Sequence, residues 1–173
     1  MTRLVILWRE GVIYPAVEAA ALAAADRQPV PGSLEAIARL NHWGYTVAVL
    51  TPLAGSADGP ALDTLNAANA RFNQLLSRVG GHVDGIFIYK EKAGARECGT
   101  ELYQAIGDRF SHPLSGTPVI AGVAEVLAPA RQLGANGMLI SGNEPGESAP
   151  ANRDYPCYDD LGHAVEHLLT RRQ

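Results

Sequence analysis

The chain has 173 residues, of which 47% are hydrophobic and 18% charged, a composition typical of a folded protein with a substantial core and not of a disordered one. Its formal net charge of −4 argues against nonspecific nucleic-acid binding, which needs a basic surface. The two cysteines, Cys98 and Cys157, lie far apart and form no C-x-x-C pair, which argues against a zinc ribbon or a disulfide framework.

Short apolar runs alternate with helical patterns in the first half of the chain. Leu4–Leu7 is predicted as a buried strand, and the alanine-rich run Ala16–Ala25 as a helix. That run is too short to span a bilayer, which takes roughly 20 residues. After a loop at Pro29–Gly32, the predicted elements are a helix capped by Ser33 and ended by Gly44, a strand over Thr46–Leu50 and a helix over Ala61–Arg78.

The same alternation continues in the second half. The predicted elements are a strand at Ile86–Tyr89, a helix near Leu102–Phe110, a strand starting at Val119–Ile120, a helix over Val126–Leu133, a strand at Met138–Ile140 and, after a polar loop at Gly142–Arg153, a helix over Asp160–Thr170. This order predicts an α/β protein: one domain over residues 1–173, with a parallel sheet covered by helices on both faces. Because no leader-like segment precedes the first strand, we expect a soluble, cytoplasmic protein.

Several stretches resemble those of a known enzyme family. They are the strand-to-turn junction through Val12, the run Pro31–Asn41, the strand ending in Thr51, the run Val79–Phe87, and the C-terminal stretches Ala130–Gly134 and Tyr158–Leu161. In these the chain is similar to the haloacid dehalogenase (HAD) superfamily, specifically to D,D-heptose 1,7-bisphosphate phosphatases and their histidinol-phosphate phosphatase relatives. The resemblance implies a three-layer, Rossmann-like (HAD-like) fold without a large cap domain.

The resemblance also implies roles for the turn after the first strand, where this family places Asp-x-Asp-Gly. Its first aspartate attacks phosphorus and its second protonates the leaving oxygen. Trp8 stands at the nucleophile position, and Glu10 at the acid/base position. Glutamate is one methylene longer than aspartate, and a displacement of about 1 Å can cost on the order of 100-fold in rate. Arg9 and Gly11 fit the pattern and are predicted to bind ligand.

Two further motifs concern the phosphate. Thr51 matches the strand-ending Thr or Ser that binds phosphate in this family, although Pro52 replaces the usual Asn. The family's catalytic lysine lies within Cys-Arg-Lys-Pro, and the best ungapped match is Ala95–Cys98. Arg96 therefore keeps the arginine as a candidate anion ligand, whereas Glu97 occupies the lysine position with reversed charge.

The family's metal motifs also differ in this chain. Magnesium needs oxygen ligands, which the family supplies in Gly-Asp-x-x-x-Asp. The matching stretch, Ala121–Leu127, contains neither aspartate, and Glu125 is the nearby carboxylate. The family's zinc loop matches Tyr89–Ala95, which has no Cys or His. We therefore predict that this chain uses neither magnesium nor zinc.

The joint replacement of these residues suggests a pseudophosphatase that is not an enzyme. Its role would be to bind a small anionic or phosphorylated ligand, or a protein partner. The alternative is an active sugar-phosphate phosphatase, similar to a D,D-heptose bisphosphate phosphatase, with a displaced or atypical site. Its candidate carboxylates are Glu10, Asp84, Glu97 and Glu125. A third class is a structural interaction subunit with an exposed apolar patch that involves Trp43 or Trp8.

Each candidate residue also has a purely structural interpretation. Trp8 could stack on a ligand, but we favour the interpretation that it fills the core. For Glu10, a turn carboxylate bonded to backbone amides is as plausible as an acid; Thr51 could cap a loop, and Arg96 could form a surface salt bridge. His163–His167 matches the zinc motif H-x-x-E-H, but such a site needs a later ligand and only six residues follow. We interpret that match as chance.

Overall fold

The computed structural model describes residues 3–16, 27–53, 59–90, 98–141 and 154–171. In chain order its elements are β1 (Arg3–Trp8), α1 (Ser33–His42), β2 (Tyr45–Leu53), α2 (Gly59–Arg78), β3 (Gly85–Lys90), α3 (Thr100–Phe110), β4 (Pro118–Ala121), α4 (Leu127–Gln132), β5 (Asn136–Ile140), β6 (Cys157–Tyr158) and α5 (Leu161–Thr170). The predicted helix at Ala16–Ala25 lies, apart from its first residue, outside the described residues.

The strands form one parallel sheet in the order β3-β2-β1-β4-β5-β6. A parallel strand in the middle of such a sheet is covered on both faces and therefore consists of a continuous apolar run. β1 has this character, since Leu4–Leu7 is buried at every position. The predicted parallel α/β sheet is confirmed.

The helices cover both faces of this sheet. α1 packs against α2 and α5, and α3 packs against α4. Because crossovers between parallel strands are right-handed, the reversal of strand order after β3 places α3 and α4 on the face opposite α1 and α2. The result is the predicted three-layer arrangement, and the described ranges include no large cap domain. None of the helices in these ranges is long and apolar enough to cross a membrane.

Two strands differ from the sequence-based prediction. β2 extends to Leu53, three residues beyond Leu50, and includes Pro52. A proline is tolerated there because β1 pairs only as far as Leu50, so this part of β2 has β3 alone as a neighbour. β6 was not predicted, because two residues are too few to show a periodicity.

A close contact between two glycines joins the turn after β1 to the end of β4. Gly11 has a φ of +77°, a conformation that favours glycine, and a Cβ added there would lie 3.2 Å from the Cα of Gly122. A Cβ on Gly122 would lie 3.0 Å from the Cα and 3.1 Å from the carbonyl oxygen of Gly11. The two turns can approach this closely only because neither residue has a side chain.

We expect Gly122→Ala to lower the free energy of unfolding by about 1–3 kcal/mol, because the new methyl group meets backbone atoms that cannot move aside independently. Urea denaturation at 25 °C measures this change. Glu125→Ala is the control, since Glu125 is exposed in the same turn and its loss should change stability by less than about 0.5 kcal/mol. Equal midpoints for Gly122→Ala and the wild type would contradict the packing argument.

Candidate functional site

The predicted site residues after β1 and β2 meet at the carboxyl edge of the sheet, where ligands bind in folds of this kind. Trp8 pairs with Leu50, so Thr51 lies one residue further along the neighbouring strand. The contact of Gly11 with Gly122 brings the turn after β4 to the same place. The structure therefore assembles Trp8–Gly11 with Thr51. Arg96 and Glu97 lie outside the described residues.

Trp8 belongs to the core in this structure. Its side chain is 6% exposed, and its indole Nε1–H donates a hydrogen bond to the hydroxyl of Tyr103 at 3.0 Å. That hydroxyl donates in turn to the carbonyl oxygen of Val126 at 2.5 Å. The ring of Tyr89 packs edge-on against the indole, with 5.9 Å between the ring centroids. These contacts connect β1 to α3 and to the start of α4.

The Tyr103 hydroxyl is buried, and Cys98 lies beside it. The Cys98 sulfur is 3.9 Å from that hydroxyl and 3.7 Å from the Val126 carbonyl oxygen. Burial raises the pKa of Tyr103 well above its usual value, and burial likewise raises the pKa of the Cys98 thiol. Sequence reasoning missed Tyr103, because 95 positions separate it from Trp8.

Glu10 forms an ion pair with an arginine that the sequence did not single out. Arg27 Nη1 donates to Oε1 of Glu10 at 2.9 Å, and Arg27 Nη2 donates to Oε2 at 2.6 Å. Both side chains are mostly buried, at 12% and 16% exposure. This two-point contact fixes the direction of the carboxylate. Nothing in the sequence around Arg27 indicates it, since the partner is 17 positions away in the chain.

Arg9 is a buried cation that ties the turn after β1 to α2. Its guanidinium lies 4.8 Å from the ring centroid of Tyr14 and 5.5 Å from that of Phe72, and Nη1 donates to Asn69 at 2.6 Å. Burial lowers its pKa, an effect opposed by Tyr14 and Glu10. Its Nε–H has no hydrogen-bond partner among the residues that the structure describes. The predicted role of Arg9 in ligand binding stays a prediction.

The structure does not bring the other described candidate carboxylates together with Glu10 at this edge. Asp84 precedes β3 at the opposite, amino edge of the sheet, where its Oδ2 accepts from the backbone N–H of Val47 at 2.8 Å. Glu125 is exposed in the turn after β4. Thr51 is at the carboxyl edge but is 2% exposed. Among the described carboxylates proposed from sequence, Glu10 is therefore the one held at the edge by a defined contact.

The described residues include no group of three or more His, Cys, Asp or Glu that could hold a metal ion. The H-x-x-E-H histidines have other contacts: His163 Nδ1 lies 3.0 Å from Oδ1 of Asp160, and His167 packs against the ring of Tyr158. Residues 91–97 and 142–153 lie outside the described ranges, so the predicted absence of magnesium and zinc sites stays a prediction.

Comparison with known proteins identifies the relatives of this fold. The chain is 32% identical to the D-glycero-beta-D-manno-heptose-1,7-bisphosphate 7-phosphatase of Bordetella bronchiseptica over 178 residues, covering 96% of this chain and 98% of that protein. The corresponding phosphatase of Pseudomonas aeruginosa is 30% identical over 174 residues, covering 96% and 97%. The chain belongs to the D,D-heptose 1,7-bisphosphate phosphatase family of the HAD superfamily. No protein-family model matches it.

Solved structures agree with this family and with the predicted fold. The D,D-heptose 1,7-bisphosphate phosphatase from B. bronchiseptica, complexed with magnesium and phosphate, has a TM-score of 0.81 at 30% identity and covers 98% of this chain and 99% of its own. The enzyme from Burkholderia thailandensis has a TM-score of 0.72 at 29% identity, with coverages of 97% and 99%. The resemblance inferred from the sequence is confirmed.

These comparisons contradict the hypothesis of a pseudophosphatase and the inference that the chain is not an enzyme. The relatives that match it almost end to end are phosphatases, and one of them holds magnesium and phosphate. Similarity over the whole chain outweighs single substitutions assigned in one ungapped register. The ungapped register also missed Arg27, which places a cation beside Glu10 from another segment.

We expect Tyr103→Phe to lower the free energy of unfolding by about 1–3 kcal/mol, because it leaves the buried N–H of Trp8 and the carbonyl of Val126 without their partner. Urea denaturation measures the loss. Tyr158→Phe is the matched control: this tyrosine is half-buried on β6, and its variant should change stability by less than about 0.5 kcal/mol. Equal losses in the two variants would show that the bridge contributes nothing specific.

Stability should also fall at alkaline pH. Tyr103 keeps its proton in the folded chain because burial raises its pKa, whereas the unfolded chain releases that proton above about pH 10. The unfolded state then binds fewer protons, so the free energy of unfolding decreases by up to about 1.4 kcal/mol per pH unit above that point. Urea midpoints from pH 8 to 11 measure the slope, which should be shallower in Tyr103→Phe. Parallel slopes would contradict the assignment to Tyr103.

Proposed function

We propose that this chain is a phosphatase that acts on sugar phosphates, with a sugar bisphosphate of the D,D-heptose type as substrate, and that its site is atypical. The observation that carries the proposal is 32% identity to a heptose bisphosphate phosphatase over 96% of this chain. A relationship that extends over both chains from end to end favours a shared reaction class more strongly than a likeness of fold alone would.

Magnesium does not fit the described residues at the end of β1. An octahedral ion needs oxygen ligands there. The side chain at the nucleophile position is the indole of Trp8, whose N–H is already donated to Tyr103. The carboxylate of Glu10 is bound at both oxygens by Arg27. In the ungapped register taken from the sequence, Val123 and Leu127 stand at the positions of the family's aspartates. We therefore derive no step through magnesium.

The residues that can act are Glu10, Arg27 and Thr51. Hydrolysis of a phosphate monoester joins the oxygen of water to phosphorus, breaks the bond between phosphorus and the sugar oxygen, and moves a proton from the water to the sugar oxygen. In our proposal the bound phosphate takes the Arg27 guanidinium from Glu10, and the freed carboxylate accepts the proton of the attacking water, which then passes through solvent to the sugar oxygen. Arg27 supplies a guanidinium that suits phosphate oxygens. The Thr51 hydroxyl is a further phosphate ligand.

Three finer points belong to the same proposal. The chain forms one domain over residues 1–173, acts in the cytoplasm, and uses a phosphorylated small molecule as its ligand. The predicted absence of magnesium and zinc and the predicted protein partner stay predictions. The anion contacts of Arg9, Gly11 and Arg96 are part of the proposed site.

We expect the purified chain to release inorganic phosphate from D-glycero-beta-D-manno-heptose 1,7-bisphosphate, and Glu10→Gln to lower kcat by about 100-fold or more, because an amide cannot accept the proton. A colorimetric phosphate assay, run once with added magnesium and once with EDTA, measures both effects. Glu166→Gln is the control, since Glu166 is an exposed glutamate on α5 and its variant should keep full activity.

Phosphate release no faster than that of the heat-inactivated chain, in both metal conditions, would overturn the proposed function. Unchanged kcat in Glu10→Gln, with a circular dichroism spectrum like that of the wild type, would remove Glu10 from the reaction and leave the phosphatase proposal standing. Activity lost in EDTA and restored by magnesium would place metal ligands among residues outside the described ranges.

A further inference from the structure

A second cleft of about 470 Å³ lies away from the carboxyl edge. Among the residues that line it are Arg131, Asn136, Tyr155, Tyr158, His167 and Arg171. Asn136 begins β5 and Pro118, which also lines the cleft, begins β4, so the cleft opens at the amino edge of the sheet. Trp8, Thr51 and Gly122 lie at the other edge. The volume is within the range of roughly 300–1,000 Å³ that small-molecule sites occupy.

The cleft exists because β6 covers only part of β5. β6 pairs with Leu139 and Ile140, and among the described residues no strand lies beside the part of β5 before Leu139 on that side. The ring of Tyr155 lies against Gly137 instead, so closely that a Cβ there would be 2.7 Å from a ring carbon. The ends of α4 and α5 lie on either side of this part of the sheet. A recess remains between them, around the exposed start of β5.

The side chains that line the cleft carry more positive than negative charge, whereas the chain as a whole is negatively charged. Two arginines, Arg131 and Arg171, face one carboxylate, Asp154, and His167 adds a titratable imidazole. The net charge of the chain is −4. The nearest approach of Arg131 to Asp154 is 4.0 Å, with side chains 61% and 73% exposed, and such a pair contributes little to holding the guanidinium in place. The cleft thus concentrates positive charge on an acidic protein.

Aromatic rings line the same recess. Tyr158 and His167 are in contact, with 5.3 Å between ring centroids and 52° between the planes. The Arg131 guanidinium lies 5.8 Å from the ring centroid of Tyr155. Burial raises the pKa of Tyr158 and the positive charge of Arg171 opposes that shift, which indicates that Arg171 and the Tyr158 hydroxyl act on each other. Flat apolar surfaces and guanidinium groups therefore lie side by side.

Stabilising the helix ends is a simpler role for the two arginines, and the test must distinguish that role from ligand binding. Arg131 lies in the last turn of α4 and Arg171 caps the end of α5, where a cation stabilises a helix by compensating its dipole. Helix stabilisation alone explains neither the aromatic rings beside them nor the recess between the two helix ends.

We propose that this cleft binds an organic phosphate with a planar ring, of the nucleoside monophosphate class. The phosphate pairs with Arg131 and Arg171, since guanidinium groups bind phosphate oxygens at two points, and the ring packs on the half-buried rings of Tyr158 and His167. The proposal does not depend on the phosphatase activity, because none of these residues belongs to the proposed phosphatase site.

Isothermal titration calorimetry with AMP, adenosine and inorganic phosphate tests this site. AMP should bind at least about 10-fold more tightly than either adenosine or phosphate, because only AMP engages both the rings and the arginines. The double variant Arg131→Gln/Arg171→Gln should weaken AMP binding at least about 10-fold. Arg78→Gln, which removes an exposed arginine at the end of α2, is the control and should leave it unchanged.

Three results would overturn the proposal. The first is no detectable binding of AMP at 10 mM. The second is AMP binding no tighter than phosphate, which indicates an anion contact without a ring site. The third is unchanged AMP binding in the double variant together with a lower thermal unfolding temperature of that variant. The arginines would then stabilise the helix ends without binding the ligand.

Discussion

The hydrogen-bonded bridge from Trp8 through Tyr103 to Val126 determines how the carboxyl edge of this protein is built. It joins the end of the central strand β1 to α3 on one face and to the turn that follows β4. A buried hydroxyl that both accepts and donates satisfies two groups that would otherwise be costly to leave alone in the core. The indole therefore acts as a structural element of this edge.

The charged side chains at this edge are held by contacts with other side chains. Arg9 is held between two rings and Asn69, and Glu10 is paired with Arg27, so two guanidinium groups and one carboxylate lie at the turn after β1. The excess positive charge suits a phosphorylated ligand. It is also consistent with the family, one of whose structures contains phosphate.

The family and the fold were predictable from sequence because they depend on patterns spread over many residues. Apolar runs such as Leu4–Leu7 and the run Pro31–Asn41 tolerate single substitutions without losing their character. The conclusion that catalysis is absent was wrong because it depended on a few single positions, chiefly Trp8 and Glu97. A position can be judged only with its neighbours in space, and for Glu10 the deciding neighbour, Arg27, is 17 positions away in the chain.

The sequence by itself determined the alternation of strands and helices, the parallel sheet and the placing of Trp8, Glu10 and Thr51 at one edge. Each follows from local periodicity and from the rule that parallel strands present their carboxyl ends together. Only the tertiary structure decided that Trp8 is bonded to Tyr103, that Asp84 lies at the opposite edge, and that a cationic, aromatic cleft opens beside β5. These contacts join residues far apart in the chain, and packing, which no local pattern encodes, brings them together.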